Sequence, residues 1–302
     1  GNTTKALTKG FAIATAVVAA VALFHTYLES AKLGELGLRL DMPEIFLGLL
    51  IGGAAPYLFS AATISSVGRA AFQLINEVRR QFKADPGIME GTSKPDYGRC
   101  VAIVTAAAQK ELLGPGILAI ALPVAVGFGF SIGTEPVKIG ENFYNLKGAQ
   151  ALGGFLAGTI LSGQLMAVLL ANAGGMWDNA KKLIEDGLHG GKGSDAHKAA
   201  VVCDTVGDPF KDTAGPALNP LIKVMNLVAL LLAPTIIQPY PTPVLVTVTL
   251  VAVGLLAFSI WNSKRTTVTG EMERIANEEK ALEAASAPAT PKKKITVEDD
   301  EA

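Results

Sequence analysis

The sequence is poor in the residues from which soluble catalytic and metal sites are usually built. It has two cysteines and three histidines in 302 residues. Cys100 and Cys203 allow no disulfide framework and no thiolate metal site, so reduced, packed thiols are the reading. His25, His189 and His197 are scattered and form no ligand pattern. No Walker-type phosphate loop occurs, and the glycines of "GFGFSIG" at 127–133 are wrongly spaced and lie inside an apolar run. A net charge of −1 removes the electrostatic footprint of a nucleic-acid binder. Charged residues make up only 18% of the chain, which makes their positions informative.

What the sequence has instead is apolar residues in long blocks. Half of it is hydrophobic and the mean hydropathy is +0.38. The blocks fall at 10–28, 44–67, 112–132, 149–173, 224–237 and 244–261, and most reach the roughly 20 residues that a membrane-crossing helix needs. The shorter 224–237 block becomes a full span only by continuing backward through charged sequence. The expected fold is all-α, a polytopic transmembrane helix bundle with spans near 10–28, 44–80, 100–132, 149–174, 200–237 and 244–262. Residues 264–302, Ala/Pro-rich and then mixed in charge, are expected to form a largely disordered tail. The first 28 residues imitate a secretory signal, but no small-x-small site ends the run before "HTYLES". A start at "GNTTK" suggests a piece of something longer.

Lysine and arginine orient the spans. The connections at 30–43 and 134–148 carry only Lys32, Arg39, Lys138 and Lys147, and "QPYPTP" carries none. The opposite side holds Lys5, Lys9, Arg79, Arg80, Lys83, Lys94, Arg99, Lys181, Lys182, Lys192, Lys198, Lys264 and Arg265. That bias places the N-terminal end, the 81–99 and 175–199 loops and the C-terminal tail in the cytoplasm. Gly48–Gly52 and Gly154–Gly158 are small-xxx-small pairs, expected at close helix contacts.

Three charged clusters lie on the cytoplasmic side. In "DTVGDPFKDTAGPALNPLIK" at 204–223, four residues advance about 400° along a helix, so Asp204, Asp208, Lys211 and Asp212 share one face, with Lys223 three turns further on. A charge at mid-membrane costs about 2.5–3.5 kcal/mol, so this face must line a polar cavity. The plainer reading is an internal salt-bridge ladder of Asp208, Lys211 and Asp212. The functional one is a site for Mg²⁺, which takes oxygen ligands, and for phosphate, which lysines grip. Pro209, Pro216, Pro220 and Pro234 each remove a backbone donor and predict a bent helix. "GGMWDNAKKLIEDG" at 174–187, read alone, is a short solvated helix capped by Asp178 and ended by Gly187. "GNTTKALTKG" at 1–10 reads alone as a positive-inside anchor. Together the three offer Asn2, Asp178, Asp204, Asp208, Lys9, Lys181, Lys182 and Lys211, an inventory that suits a small metal–phosphate anion.

The stretches "GNTTKALTKGFAI", "GGMWDNAKKLIEDG" and "DTVGDPFKDTAGPALN", with "EVRRQF" at 77–82 and "GIMEGTSKPDYGRCV" at 87–101, closely resemble the membrane-integral, ion-pumping pyrophosphatases. The resemblance runs from residue 1 to about 237. It implies hydrolysis of Mg-bound pyrophosphate at the cytoplasmic end of a helix bundle, coupled to outward cation transport by a homodimer. It further implies that Asn2, Asp178, Asp204 and Asp208 are Mg²⁺ ligands and that Lys9, Lys181, Lys182 and Lys211 grip phosphate. Asp212 resembles the carboxylate that positions the attacking water, and Lys223 the basic residue of the ion gate. Members that require K⁺ resemble "NTTAAxGK", whereas Lys5 and Thr8 stand at the varying positions here, as in the potassium-independent, proton-pumping class. A last span such as 244–261 occurs in some bacterial members and fits a cytoplasmic tail; the expected location is a bacterial inner membrane. Members are about twice this length and carry further acidic motifs, so the chain is expected to be roughly the C-terminal half of a larger bundle and inactive alone. A sodium pump is the alternative within the family. A non-hydrolytic anion or proton transporter is the alternative outside it, disfavoured by the clustered carboxylates.

Overall fold

The computed structural model describes residues 2–265 and Gly270. The remainder of the tail expected over 264–302 lies outside the described residues. Long helices dominate: α1 (Asn2–Ser30), α2 (Pro43–Ala84), the single turn α3 (Gly87–Glu90), α4 (Tyr97–Gly129), α5 (Leu146–Glu185), α6 (Asp195–Asp208), α7 (Gly215–Ile236) and α8 (Thr242–Arg265). Six stretches are long and apolar enough to cross a membrane, with α6 and α7 counting as one continuous span over Asp195–Ile236. This is the expected polytopic bundle. Large apolar side chains such as Leu231, Phe11, Leu112 and Leu165 are strongly exposed at its periphery, as lipid-facing side chains should be.

Local chemistry sets the helix ends. Pro43 begins α2, where its missing N–H costs nothing. Asp96 caps α4 by accepting the Arg99 N–H at 3.0 Å, and Ser194 caps α6 by accepting the His197 N–H at 3.1 Å. One feature was not expected from the sequence: the 134–148 connection contains a small antiparallel hairpin, β1 (Val137–Ile139) with β2 (Asn142–Tyr144). Gly140, at φ 64°, supplies the left-handed residue of its two-residue turn.

Helix α5 is the spine. It packs against α1, α2, α4, α6 and α7, and its Leu152, Phe155 and Leu156 are fully buried alongside Leu218, Ile222 and Met225 of α7. The two small-xxx-small pairs meet each other. A Cβ on Gly48 or Gly52 would strike the Ala151 or Phe155 carbonyl, and one on Gly154 or Gly158 would strike that of Ile45 or Leu49. Only glycine lets the α2 and α5 backbones lie this close. Hydroxyls then bridge them, Thr159 donating to the Gly52 carbonyl at 3.1 Å and Ser162 to that of Gly53 at 2.7 Å.

The stretches 77–82 and 87–101 also come together, as scaffold. Glu77 pairs with Arg80 at 2.7 Å and Arg99 at 3.1 Å. Gln81 accepts the Asp96 N–H at 2.8 Å, and Ser93 donates to Asp85 at 2.6 Å. They knit the end of α2 to the start of α4.

Candidate functional site

The stretch at 174–187 is no separate capped helix. α5 runs unbroken to Glu185, so Asp178 sits in mid-helix, where a side chain caps nothing. Gly187 does follow the helix end with φ 115°. Extending α5 by about three turns past its apolar block carries Asp178, Lys181 and Lys182 beside the second charged stretch.

That second stretch is one continuous helix with a defect. α6 passes through a π-helical turn, Pro209–Ala214, into α7. Pro216 lacks the N–H that would bond the Asp212 carbonyl in an α-helix, and the Gly215 N–H reaches back five residues to Phe210. The proline-induced departure is therefore a π-turn, a widening of the coil often found at functional sites. Just before it, Gly207 crosses Gly174 of α5. A Cβ on Gly174 would lie 2.8 Å from Lys211 Cβ, and one on Gly207 would lie 3.0 Å from Gly174 Cα. Trp177 and Phe210 close one flank, their ring centroids 6.1 Å apart.

The consequence is a charge cluster centred on Lys211. Lys211 is 5% exposed, and its ammonium lies 3.0 Å from Asp204 Oδ1, 3.2 Å from Asp178 Oδ2 and 3.8 Å from Asp212 Oδ2, with Asp208 also in direct contact. Lys181 pairs with Asp204, and Lys182 with Asp178 at 3.1 Å. Asp204 is buried, whereas Asp208 and Asp212 are about half-exposed. Four carboxylates against three ammonium groups leave one net negative charge. The ladder of Asp208, Lys211 and Asp212 exists, but it is part of this larger node, which Asp178 and Asp204 complete.

Among the described residues no three carboxylate, thiol or imidazole side chains form a ready cage for a metal. The aspartates close on the Lys211 ammonium instead. The donor set still fits Mg²⁺ in kind: it is anionic, all oxygen, and already gathered around one cationic centre.

The first stretch reaches the same face by helix geometry. Tyr27, near the far end of α1, donates to the Ala149 carbonyl of α5 at 2.7 Å. From there Asn2 lies about 38 Å back along α1 and Asp178 about 44 Å along α5, so both return to one face. Lys5 and Lys9 stand on the same helical segment, and Thr8 there is exposed. The side chains of Asn2, Lys5 and Lys9 are outside what the structure describes.

Lys223 does not join the cluster. It is half-buried on α7, eleven residues beyond Asp212 and thus about 16 Å deeper. Asn219 and Asn226 flank it at i−4 and i+3 on the same helix face, and the Oδ1 of each is buried without a hydrogen-bond partner, as are both amide atoms of Gln164 on α5. Sequence reasoning missed these buried amides. For Gln164 and Asn226 the signal was present as lone polar residues inside apolar blocks, which buried helices tolerate only for a reason. It also missed Gly174 and Gly207, whose contact joins positions far apart in sequence.

A family model for inorganic H⁺ pyrophosphatase matches residues 1–232. A Chloroflexus aurantiacus protein named K(+)-insensitive pyrophosphate-energized proton pump is 53% identical over 280 residues, covering 88% of this chain and 34% of the relative. A Methanosarcina mazei protein of the same name is 54% identical, covering 78% of this chain and 33% of the relative. A Clostridium tetani protein, provisionally named a K(+)-stimulated pyrophosphate-energized sodium pump, is 52% identical over 79% of this chain and 32% of its own length. The chain thus spans about a third of the length of the curated relatives it matches, where the resemblance read from sequence implied about half.

Proposed function

The chain belongs to the inorganic H⁺ pyrophosphatase family, and from that membership we propose that it supplies the substrate-gripping cluster and part of the ion path of a pump coupling pyrophosphate hydrolysis to proton transport. The observation that carries this reading is the gathering of Asp178, Asp204, Asp208, Asp212, Lys181, Lys182 and Lys211 at one face of a membrane bundle. A charge cluster this large on so apolar a chain calls for a charged ligand.

Pyrophosphate cleavage needs in-line positioning, neutralisation of developing charge and a carboxylate to direct water, with little covalent help. Asp178, Asp204 and Asp208, with Asn2, would hold Mg²⁺, which supplies charge neutralisation on the phosphate oxygens. Lys9, Lys181, Lys182 and Lys211 grip those oxygens. With that metal held by the carboxylates, the Lys211 ammonium would be free to contact substrate. Half-exposed Asp212 accepts a proton from the attacking water as its oxygen bonds phosphorus and the bridging P–O bond breaks. That proton passes inward toward Lys223, a distance of about 16 Å that requires relay groups between them. Three lysines already balance three of the four carboxylates, so further acidic ligands must complete a multi-Mg²⁺ site. The cluster by itself is therefore inactive.

The test is Mg²⁺-dependent phosphate release from pyrophosphate by inverted membrane vesicles carrying a chimaera, in which this chain replaces the matching third of the Chloroflexus relative. Release accompanied by vesicle acidification supports the pump, and neither occurring would overturn it. The Clostridium relative favours a second reading, sodium transport; activation by Na⁺ and absence of acidification would select it. We further infer a homodimer in a bacterial inner membrane with the site cytoplasmic, which a monomeric mass in detergent or an externally accessible site would refute.

A further inference from the structure

Away from the charge cluster, α2, α4 and α8 enclose a cavity of about 600 Å³. Helices α2 and α4 run in opposite directions, yet the lining of both turns from apolar to polar toward the face that bears the cluster. On α2 the lining passes from Leu58 to Ser66 and Arg69; on α4, read backward, it passes from Leu118 to Glu111 and Lys110; α8 ends the cavity with Asn262. The gradient extends about 16 Å along α2 and about 12 Å along α4.

The polar end is built and cationic. Arg69 is 3% exposed, and its Nε donates to Glu111 Oε1 at 2.9 Å while Nη2 donates to Ser66 Oγ at 2.9 Å. Ser66 in turn donates to Glu111 Oε2 at 2.7 Å. Glu111 balances Arg69, and Lys110 brings the pocket to one net positive charge. Ser259 of α8 donates to the Gly114 carbonyl at 2.9 Å and fixes the third wall.

Depth identifies the occupant. Lys110 lies nineteen residues, about 28 Å, from the far end of α4, and Asn262 lies twenty residues, about 30 Å, from the far end of α8. The hydrocarbon core is about 30 Å thick, so the cationic end sits at the headgroup level and the apolar end among acyl chains. A soluble anion has no use for the deep apolar half. A phospholipid matches both ends, and basic pockets between helices at this level suit anionic headgroups. We propose that this cavity binds one anionic phospholipid of the leaflet on the cluster face, its phosphate against Lys110 and Arg69 and its upper acyl chain along Leu58 and Leu118.

The test uses intact-mass spectrometry of the chain in detergent with equimolar phosphatidylglycerol and phosphatidylcholine. Wild type is expected to retain one phosphatidylglycerol in preference. Arg69 is too deeply ion-paired to remove safely, but exposed Lys110 tolerates change. Lys110→Ala should lower the preference about fivefold, the worth of one headgroup-level charge, and Lys110→Arg should restore it. Lys147→Ala, on the opposite face, should leave it unchanged. Equal retention of the two lipids, an unaltered preference in Lys110→Ala, a loss as large in Lys147→Ala, or displacement of the lipid by millimolar inorganic phosphate would each overturn the proposal.

Discussion

Two adjacent glycines give the sharpest test of how the charge cluster is assembled. Both Gly174 and Gly175 lie inside α5, so replacing either by alanine gains about 1 kcal/mol of helix propensity. Their surroundings differ completely. A Cβ on Gly175 meets nothing within 4 Å. A Cβ on Gly174 meets Lys211 Cβ at 2.8 Å and Lys211 N at 3.0 Å, and it also strikes the Gly207 carbonyl. Ordinary contact begins at 3.4 Å, so the Lys211 segment must retreat by 0.6 Å (3.4 − 2.8) or more. Backbone cannot step aside as a side chain can, and overpacking of this kind costs about 1–3 kcal/mol. The propensity gain cancels between the two variants, so Gly174→Ala should be less stable than Gly175→Ala by that full amount. The same retreat stretches the Lys211–Asp178 contact from 3.2 Å to about 3.8 Å, beyond hydrogen-bonding range. Thermal unfolding of both variants in detergent measures the first effect, and phosphate release by the chimaera measures the second. Equal stability and equal activity in the two variants would refute the close-crossing argument.

Lys211→Met removes the cation shared by four carboxylates. Asp204 keeps Lys181 and Asp178 keeps Lys182, so the stability loss should fall at the low end of a broken buried pair, about 3 kcal/mol. An unchanged melting midpoint would show that the node is not held by Lys211, and hydrolysis by the chimaera should disappear. If Lys5 takes the place of a bound K⁺, as the resemblance to the potassium-independent class implies, Lys5→Ala in the chimaera should make activity depend on K⁺. Identical rates with and without K⁺ would end that assignment. Asp212→Asn should abolish pumping and strongly slow hydrolysis; retention of fully coupled acidification would exclude Asp212 from the proton path.

Much of the architecture was legible in the chain itself, because lipid imposes a length rule. Blocks of about 20 apolar residues must be helices where no water satisfies the backbone, and lysine and arginine mark the side they end on. The glycine pairs at 48/52 and 154/158 were legible for the same reason: spacing of four puts both on one helix face. The candidate site was legible as an inventory, since every one of its aspartates and lysines breaks an otherwise apolar composition. Boundaries were less so. Asp178 read alone as a cap because a helix can outrun its apolar block, and only the packing partner beyond the membrane edge shows that α5 does.

Tertiary structure decided how those residues meet. Pairing Gly174 with Gly207 requires knowing that α5 and α6 cross there, and no periodicity within either helix encodes a contact between them. The π-turn follows from Pro216, but its effect, seating Lys211 against Asp204 and Asp178 together, depends on where α5 lies. The Arg69–Glu111 pair spans 42 residues of sequence, and the cavity around it needs α8 as its third wall. Local sequence determines which segments are helical and which face of each is polar, because those depend on neighbours three or four residues away. Distances between charges on different helices depend on packing, and packing is a property of the whole bundle.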